Sequence, residues 1–202
     1  MVAALRSGDE QAFRELIDRY QASFVRVAKS YVRDQAVAEE VAQETWLAVL
    51  QGLDRFERRS SLKTWMFRIL TNRAITRAKR ERRSTPFSAL TADDGPAVDP
   101  GRFRPADDPN WPGHWRAGLH TWSDLPQEVL LAGETRAKLL EAIDRLPDSQ
   151  RRVITLRDIE GLSAQEVDDL LDLTDVNQRV LLHRARSKVR ALLEPYLTPE
   201  TA

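Results

Sequence analysis

The sequence predicts an all-α protein: two small helical domains joined by a long irregular linker. Apolar residues recur at three- and four-residue spacing along most of the chain, the spacing of a helix face. Glycine is scarce, 8 of 202 residues, and residues 1–83 show no strand-like alternation. All ten prolines lie beyond residue 84, seven of them from Pro86 to Pro126, which marks a break in the middle.

"SGDE", Ser7 to Glu10, has the form of a capping box and opens a helix with Phe13, Leu16, Ile17 and Tyr20 on one face. A second helix is expected over about 22–33, with Phe24, Val25, Ala28, Tyr31 and Val32. A third runs over about 36–52, carrying Val37, Val41, Thr45, Leu47 and Leu50. "GLDRFERRSS" reads as a loop, followed by a helix over 63–83 in which Trp65, Met66, Phe67, Ile69 and Leu70 alternate with many cations.

Residues 84–133 have no helical period and read as a linker. It holds Trp111, Trp115 and Trp122, three of the five tryptophans, which either tack it onto a domain or dock it on a partner. Helical spacing resumes near Leu125, and 134–145 carries Leu139, Leu140 and Ile143. "LPDSQ" restarts a helix with Val153, Ile154 and Leu156. In "GLSAQE", Ser163 and Glu166 form a second capping box after Gly161, opening a helix over about 164–171. A break at "DLTD" leads to a last helix over about 175–194, with Val176, Val180, Leu181, Ala185, Val189 and Leu192 as its apolar residues. A short helix, a tight turn and a longer basic helix make the helix-turn-helix pattern.

Charge sharpens this division. The net charge of the chain is zero, yet 55–83 holds 11 Lys/Arg against 2 Asp/Glu, while 1–54, 84–133 and 134–202 are each mildly acidic. Such asymmetry points to a polyanion partner. There are no cysteines, and His114, His120 and His183 lack metal-ligand spacing, so neither a disulfide nor a metal cofactor is expected. No run of about 18 apolar residues occurs, and the N-terminus is too charged for a secretory signal, so a soluble, cytoplasmic chain is expected. No nucleophile–base pair and no phosphate-binding loop is visible, and the chain is expected not to be an enzyme.

Two elements suit nucleic acid. In a helix-turn-helix the second helix enters the major groove. Asn177, Gln178, Arg179, Leu182 and His183 are placed to reach base edges, and Arg184, Arg186, Lys188 and Arg190 to meet phosphates. Asn and Gln suit adenine, and Arg suits guanine. The basic stretch 55–83 has three readings: a solvated charged face, a helix on an anionic membrane, or a strand-binding element. The apolar residues are needed to cover the preceding helices, which disfavours the membrane. Phe56, Trp65 and Phe67 offer stacking faces, each worth about 1–3 kcal/mol per base. Two DNA-reading units on one linker favour the third reading.

Three segments carry a resemblance: "AEEVAQETWLAVL" (38–50), "SSLKTWMFRILTNRAITRAKRERR" (60–83) and "LPDSQRRVITLRDIEGLSAQEVDDLLDLTDVNQRVLLHRARSKVR" (146–190). In this order and spacing the chain resembles the extracytoplasmic-function sigma factors of the sigma-70 class. The resemblance implies a sigma-2 helical bundle over 1–83, a linker over 84–133 and a sigma-4 helix-turn-helix domain over 134–202. It implies that Glu40, Gln43 and Glu44 dock on the β′ clamp helices of core RNA polymerase, with the β flap as a further contact. Arg55, Phe56, Arg58, Arg59, Ser60, Ser61, Lys63, Trp65, Arg68, Asn72, Arg73, Arg77 and Arg80 fall where the family binds the −10 element and its unstacked base. Asn177, Gln178, Arg179, Leu182, His183, Arg184 and Arg186 fall where it reads the −35 element.

The resemblance also implies an anti-sigma partner and a linker that threads toward the active-centre cleft. The chain departs from the family where Asp172 replaces a glycine and where Val180 and Leu181 replace a small polar residue and an arginine. The other reading from the residues is a stand-alone helix-turn-helix regulator whose N-terminal bundle senses or dimerises.

Overall fold

The computed structural model of the chain describes residues 1–84 and 133–197. The expected linker, with Trp111, Trp115 and Trp122, lies outside the described residues except at its two ends. The described residues form helices α1 (Val2–Arg6), α2 (Glu10–Lys29), α3 (Gln35–Gly52), α4 (Leu62–Ser84), α5 (Gly133–Asp144), α6 (Asp148–Ile154), α7 (Ala164–Leu171) and α8 (Asp175–Leu197). A 3₁₀ turn, Leu53–Arg55, follows α3, and a π-helical turn, Thr155–Ile159, follows α6. No strand occurs among them. No described helix is long and apolar enough to cross a membrane.

The start of the chain differs from expectation in two ways. The Ser7–Glu10 capping box does not form, because residues 2–6 are already helical and Ser7 closes that helix. Its hydroxyl turns back to donate to the Ala4 carbonyl at 2.8 Å. Gly8, at φ 78°, redirects the chain, and Asp9 is the residue that caps α2. Its Oδ1 accepts from the Gln11 and Ala12 amides at 2.9 and 3.1 Å, which satisfies two of the free donors of a helix start. The two helices expected on either side of residue 21 are one, α2, because "YQAS" holds no glycine or proline to end the ladder.

Residues 1–84 and 152–179 belong to one compact unit. Its centre is aromatic. Phe24 stacks on Trp46 with centroids 4.5 Å apart, and Phe67 meets Phe24 edge-on at 5.6 Å. Tyr20 and Phe13 complete the cluster against Phe67 and Trp46. The indole N–H of Trp46 donates to Gln21 Oε1 at 2.6 Å, so the buried ring leaves no unpaired donor. α2, α3 and α4 each contribute their apolar stripe to this core, which also takes Leu156, Leu162, Val167 and Leu170.

Polar contacts fix 152–179 within the same unit. Glu160, with a side chain only 5 % exposed, accepts from Arg26 Nε at 2.8 Å, and its carbonyl accepts from the Lys63 ammonium. The Thr64 hydroxyl donates to Glu166. Arg152 lies over the Tyr31 ring at 4.5 Å. Burial pushes the Tyr31 phenol up to about 12, with the Arg152 charge opposing the shift. The expected capping box at Ser163 forms: Glu166 N donates to Ser163 Oγ at 3.3 Å and Ser163 N donates to Glu166 Oε2 at 2.8 Å. α7 ends at Asp172 in the left-handed conformation, φ 53° and ψ 51°. Aspartate tolerates this region better than most residues, which is how it occupies the place of a glycine.

The second unit holds 133–151 and 180–197. Ala142, Ile143, Leu146, Leu182, Ala185, Val189 and Leu193 are buried there. Arg151 closes the α5–α6 turn, donating to the Asp144 carbonyl at 3.1 Å and to Asp148 Oδ1 at 2.8 Å.

Two measurements check these local assignments. Asp9→Ala should cost about 1 kcal/mol in thermal or denaturant unfolding, as a lost N-cap does, and Ser7→Ala distinctly less. Glu166 is held below its ordinary carboxyl value of 4.5 by the bonds from Thr64 and from the Ser163 amide. A depressed carboxylate contributes stability above 4.5 that is lost as the pH falls through its folded value. Glu166→Gln should therefore lower the melting temperature at neutral pH, and the gap to wild type should close in acid.

Candidate nucleic-acid interface

α4 must satisfy two environments, and its period separates them. Met66, Phe67, Leu70, Ala74 and Ala78 are buried against the bundle. Arg68, Asn72, Thr76, Lys79 and Arg80 are exposed on the opposite side. Arg73 and Arg77 sit between the two faces, half-buried and turned toward α3.

There they meet two of the three residues expected to face a protein partner. Glu40, Gln43 and Glu44 are all exposed on one side of α3. Arg73 Nη1 pairs with Glu44 Oε2 at 3.1 Å, and Arg77 Nη2 with Glu40 Oε2 at 2.8 Å. Between the helices runs a groove of about 430 Å³, with Ala48 and Ile69 as its apolar lining and Glu44, Asn72, Arg73 and Arg77 among its polar residues. Its charged and amide groups come from both sets of expected site residues.

The loop before α4 differs from expectation at its aromatic residue. Phe56 is 4 % exposed, its ring 5.0 Å from that of Trp65, and its carbonyl accepts from Arg6 Nη2 at 2.6 Å. It plugs the base of the loop and offers no face to a base. Phe67, with no exposed surface, is likewise core. Trp65 is half-buried, between Phe56 and Gly52; a Cβ at Gly52 would come within 3.1 Å of the indole. Arg55, Arg58, Arg59, Ser60 and Ser61 are exposed, with Arg58 at φ 58° and Arg59 paired to Glu57 at 2.6 Å. Lys63 is half-buried and holds the Glu160 carbonyl, so its ammonium is already engaged within the chain.

Helix α8 corrects two further expectations. Gln178 is 1 % exposed and donates from Nε2 to the Ala164 carbonyl at 2.7 Å. It ties α8 to the start of α7 and cannot reach a base edge in this arrangement. Leu182 is 7 % exposed and belongs to the interior. Both share the helix face of Ala185 and Val189, a register visible in the sequence as 178, 182, 185, 189.

Asn177, Arg179, His183 and Arg184 are exposed, and Arg186 is half-buried. Arg179 is held by Asp175 through Nε at 3.1 Å and Nη2 at 2.7 Å. The apolar face expected on the last helix is corrected at its start: Val176 and Val180 are 67 and 44 % exposed, one turn apart beside Asn177 and Arg179.

The arrangement agrees with comparisons to known proteins. The Sigma-70 region 2 family matches residues 16–84, and Sigma-70, region 4 matches 136–189. The chain is 28 % identical over 199 residues to the RNA polymerase sigma-H factor of Pseudomonas aeruginosa, spanning 98 % of this chain and 94 % of that one. It is 26 % identical over 197 residues to the ECF RNA polymerase sigma-E factor of Haemophilus influenzae, covering 98 and 95 %. Its fold resembles that of the sigma factor RpoE of Bartonella quintana, solved with the anti-sigma factor NepR, at a TM-score of 0.59 and 20 % identity over 91 % of this chain and 98 % of that one. It also resembles CnrH, solved with the cytosolic domain of CnrY, at a TM-score of 0.55 and 22 % identity, covering 96 and 95 %. The two matched regions, in family order and on helices that place cations outward, identify the chain as a member of the sigma-70 family, a sigma factor of its extracytoplasmic-function group.

Proposed function

We propose that this sigma factor divides its work between 1–83, which docks on core RNA polymerase and engages the −10 element, and 134–202, which reads the −35 element, with 84–133 as the connection. The observation that carries this reading is the α3/α4 groove, where Glu44, on the exposed face it shares with Glu40 and Gln43, adjoins the half-buried Arg73 and Arg77 and the exposed Arg80. Glu40, Gln43 and Glu44 suit the basic side chains of the β′ clamp helices. Arg68, Asn72, Arg73, Arg77 and Arg80 suit the phosphates of a separated promoter strand, and the exposed Arg55, Arg58, Arg59, Ser60 and Ser61 form the rim that receives an unstacked base. Trp65, braced by Phe56, forms the wall of that rim.

At the −35 element, Asn177, Arg179, His183 and Arg184 read base edges and phosphates. Val176 and Val180 suit thymine methyl groups, the apolar feature of the major groove. Gln178 and Leu182 act from beneath, by holding α8 in place. The chain acts by binding and carries no chemistry of its own. Opening is favoured because the separated strand makes contacts that the duplex cannot, a shift of population by differential affinity. The site of action is the cytoplasm, with polymerase. An anti-sigma protein is the expected inhibitor, in line with the complex in which the similar RpoE structure was solved.

Transcription in vitro with purified core polymerase across a promoter library tests this reading. Promoter-specific transcripts are expected only when the chain is added, and free chain should bind duplex weakly and salt-sensitively. If no promoter fires and core polymerase does not retain the chain, the reading falls. Tight duplex binding without polymerase would favour a stand-alone regulator instead. Arg179→Ala or Arg184→Ala should weaken −35-dependent promoters about ten- to a hundredfold, the range of one base-reading arginine. Gln178→Ala should instead lower the melting temperature, by the equivalent of about 1–3 kcal/mol for a carbonyl left unpaired.

A further inference from the structure

The α3/α4 groove pairs residues that the proposed function assigns to two different partners. Glu44 holds Arg73 at 3.1 Å and Glu40 holds Arg77 at 2.8 Å. Sequence spacing alone does not require this, since the partners are 29 and 37 residues apart. The carboxylates are the more accessible members, 57 and 54 % exposed for Glu40 and Glu44 against 34 and 37 % for Arg77 and Arg73. A protein can therefore reach them while the guanidiniums stay beneath. Exposed pairs of this kind are weak and screened by salt, which makes them easy to exchange.

We propose that this groove is an ion-pair exchange site. In the free chain Glu40 and Glu44 neutralise Arg77 and Arg73; a basic helix of core polymerase docking on the two carboxylates releases the two guanidiniums for the phosphates of a single strand. The inference rests on the reading in which α3 faces polymerase and α4 faces DNA. A phosphate approaching the free chain must displace a carboxylate from each arginine, so binding is held down until polymerase has taken the carboxylates. Linkage then requires the converse: a bound strand leaves Glu40 and Glu44 unpaired and strengthens docking by the same factor. Arg77 also has a longer contact to Glu81, 3.5 Å, within its own helix, so its release is the less complete of the two.

The test uses the full chain without polymerase and a fluorescent single-stranded oligonucleotide, with anisotropy measured over a salt series. The E40Q/E44Q double variant should bind about three- to tenfold more tightly at low salt. Its log K against log salt slope should steepen by about 0.7–1.4, since each phosphate contact on a single strand contributes about 0.7. E15Q/D18N, which removes two exposed carboxylates on α2, controls for net charge and should leave the slope unchanged. R73A/R77A should weaken binding.

If E40Q/E44Q matches wild type or the α2 control while R73A/R77A weakens binding, the exchange is refuted and the DNA-facing assignment stands. If R73A/R77A leaves binding unchanged, the assignment of those arginines falls and the exchange with it. Should E40Q/E44Q lower the melting temperature, E44Q alone replaces it, with an expected slope change of about 0.7; an unchanged slope overturns the proposal.

Discussion

The stacked pair Phe24–Trp46, with Phe67 set edge-on against Phe24, is the constraint around which the N-terminal helices are arranged. Each ring comes from a different helix, so the three helices cannot slide or rotate independently without breaking an aromatic contact. Such contacts contribute about 0.5–1.5 kcal/mol each beyond the area they bury. Phe67 lies on α4, and its fixed position sets the rotation of that helix. That rotation sends Arg68, Asn72 and Arg80 outward and brings Arg73 and Arg77 against α3. The cationic surface is thus a product of core packing.

The same economy of position governs the helix-turn-helix. Val167 and Leu170 of α7 enter the core cluster of the first unit, and Gln178 fastens the first turn of α8 to Ala164. A recognition helix needs a rigid inner face, and Gln178 and Leu182 lie on it. The outward face near the start of α8 is narrower than a basic helix suggests: an exposed strip from Val176 through Arg179 and Val180 to His183 and Arg184, part polar and part apolar. Of the chain's departures from the family pattern, Val180 falls on this strip, while Asp172 lies before it and Leu181 is half-buried beside it.

Much of this was legible in the sequence, for a physical reason. Helices α3, α4 and α7 announce themselves through a 3.6-residue apolar period, although Leu47 and Leu50, counted in the apolar set of α3, are exposed; Ser163 with Glu166 marks the start of α7 because a capping box is a purely local arrangement. The misreadings arose where local and distant signals compete. Ser7 had the spacing for a cap, but an earlier helical turn had already recruited its hydroxyl. Phe56 had the composition of a stacking face, yet Arg6, 50 residues away, holds its carbonyl and Trp65 covers its ring. Gln178 looked like a base reader because of its polarity, while its register placed it on the inner face. The pairing of Glu40 and Glu44 with Arg77 and Arg73 lay beyond any local signal, since it depends on how α3 and α4 cross.

Gly52 brings the N-terminal features together. It ends α3 directly beneath the Trp65 indole, with room for a hydrogen and little more: a Cβ there would approach the ring to 3.1 Å. Position 52 therefore acts as a spacer whose thickness sets the height of the indole and, through Phe56, the seat of the loop that follows. Even the methyl group of alanine would require that wall to give by a few tenths of an ångström. The shape of the loop from Arg55 to Ser61 is in this way adjustable from a residue that lies outside it, with every cation left in place.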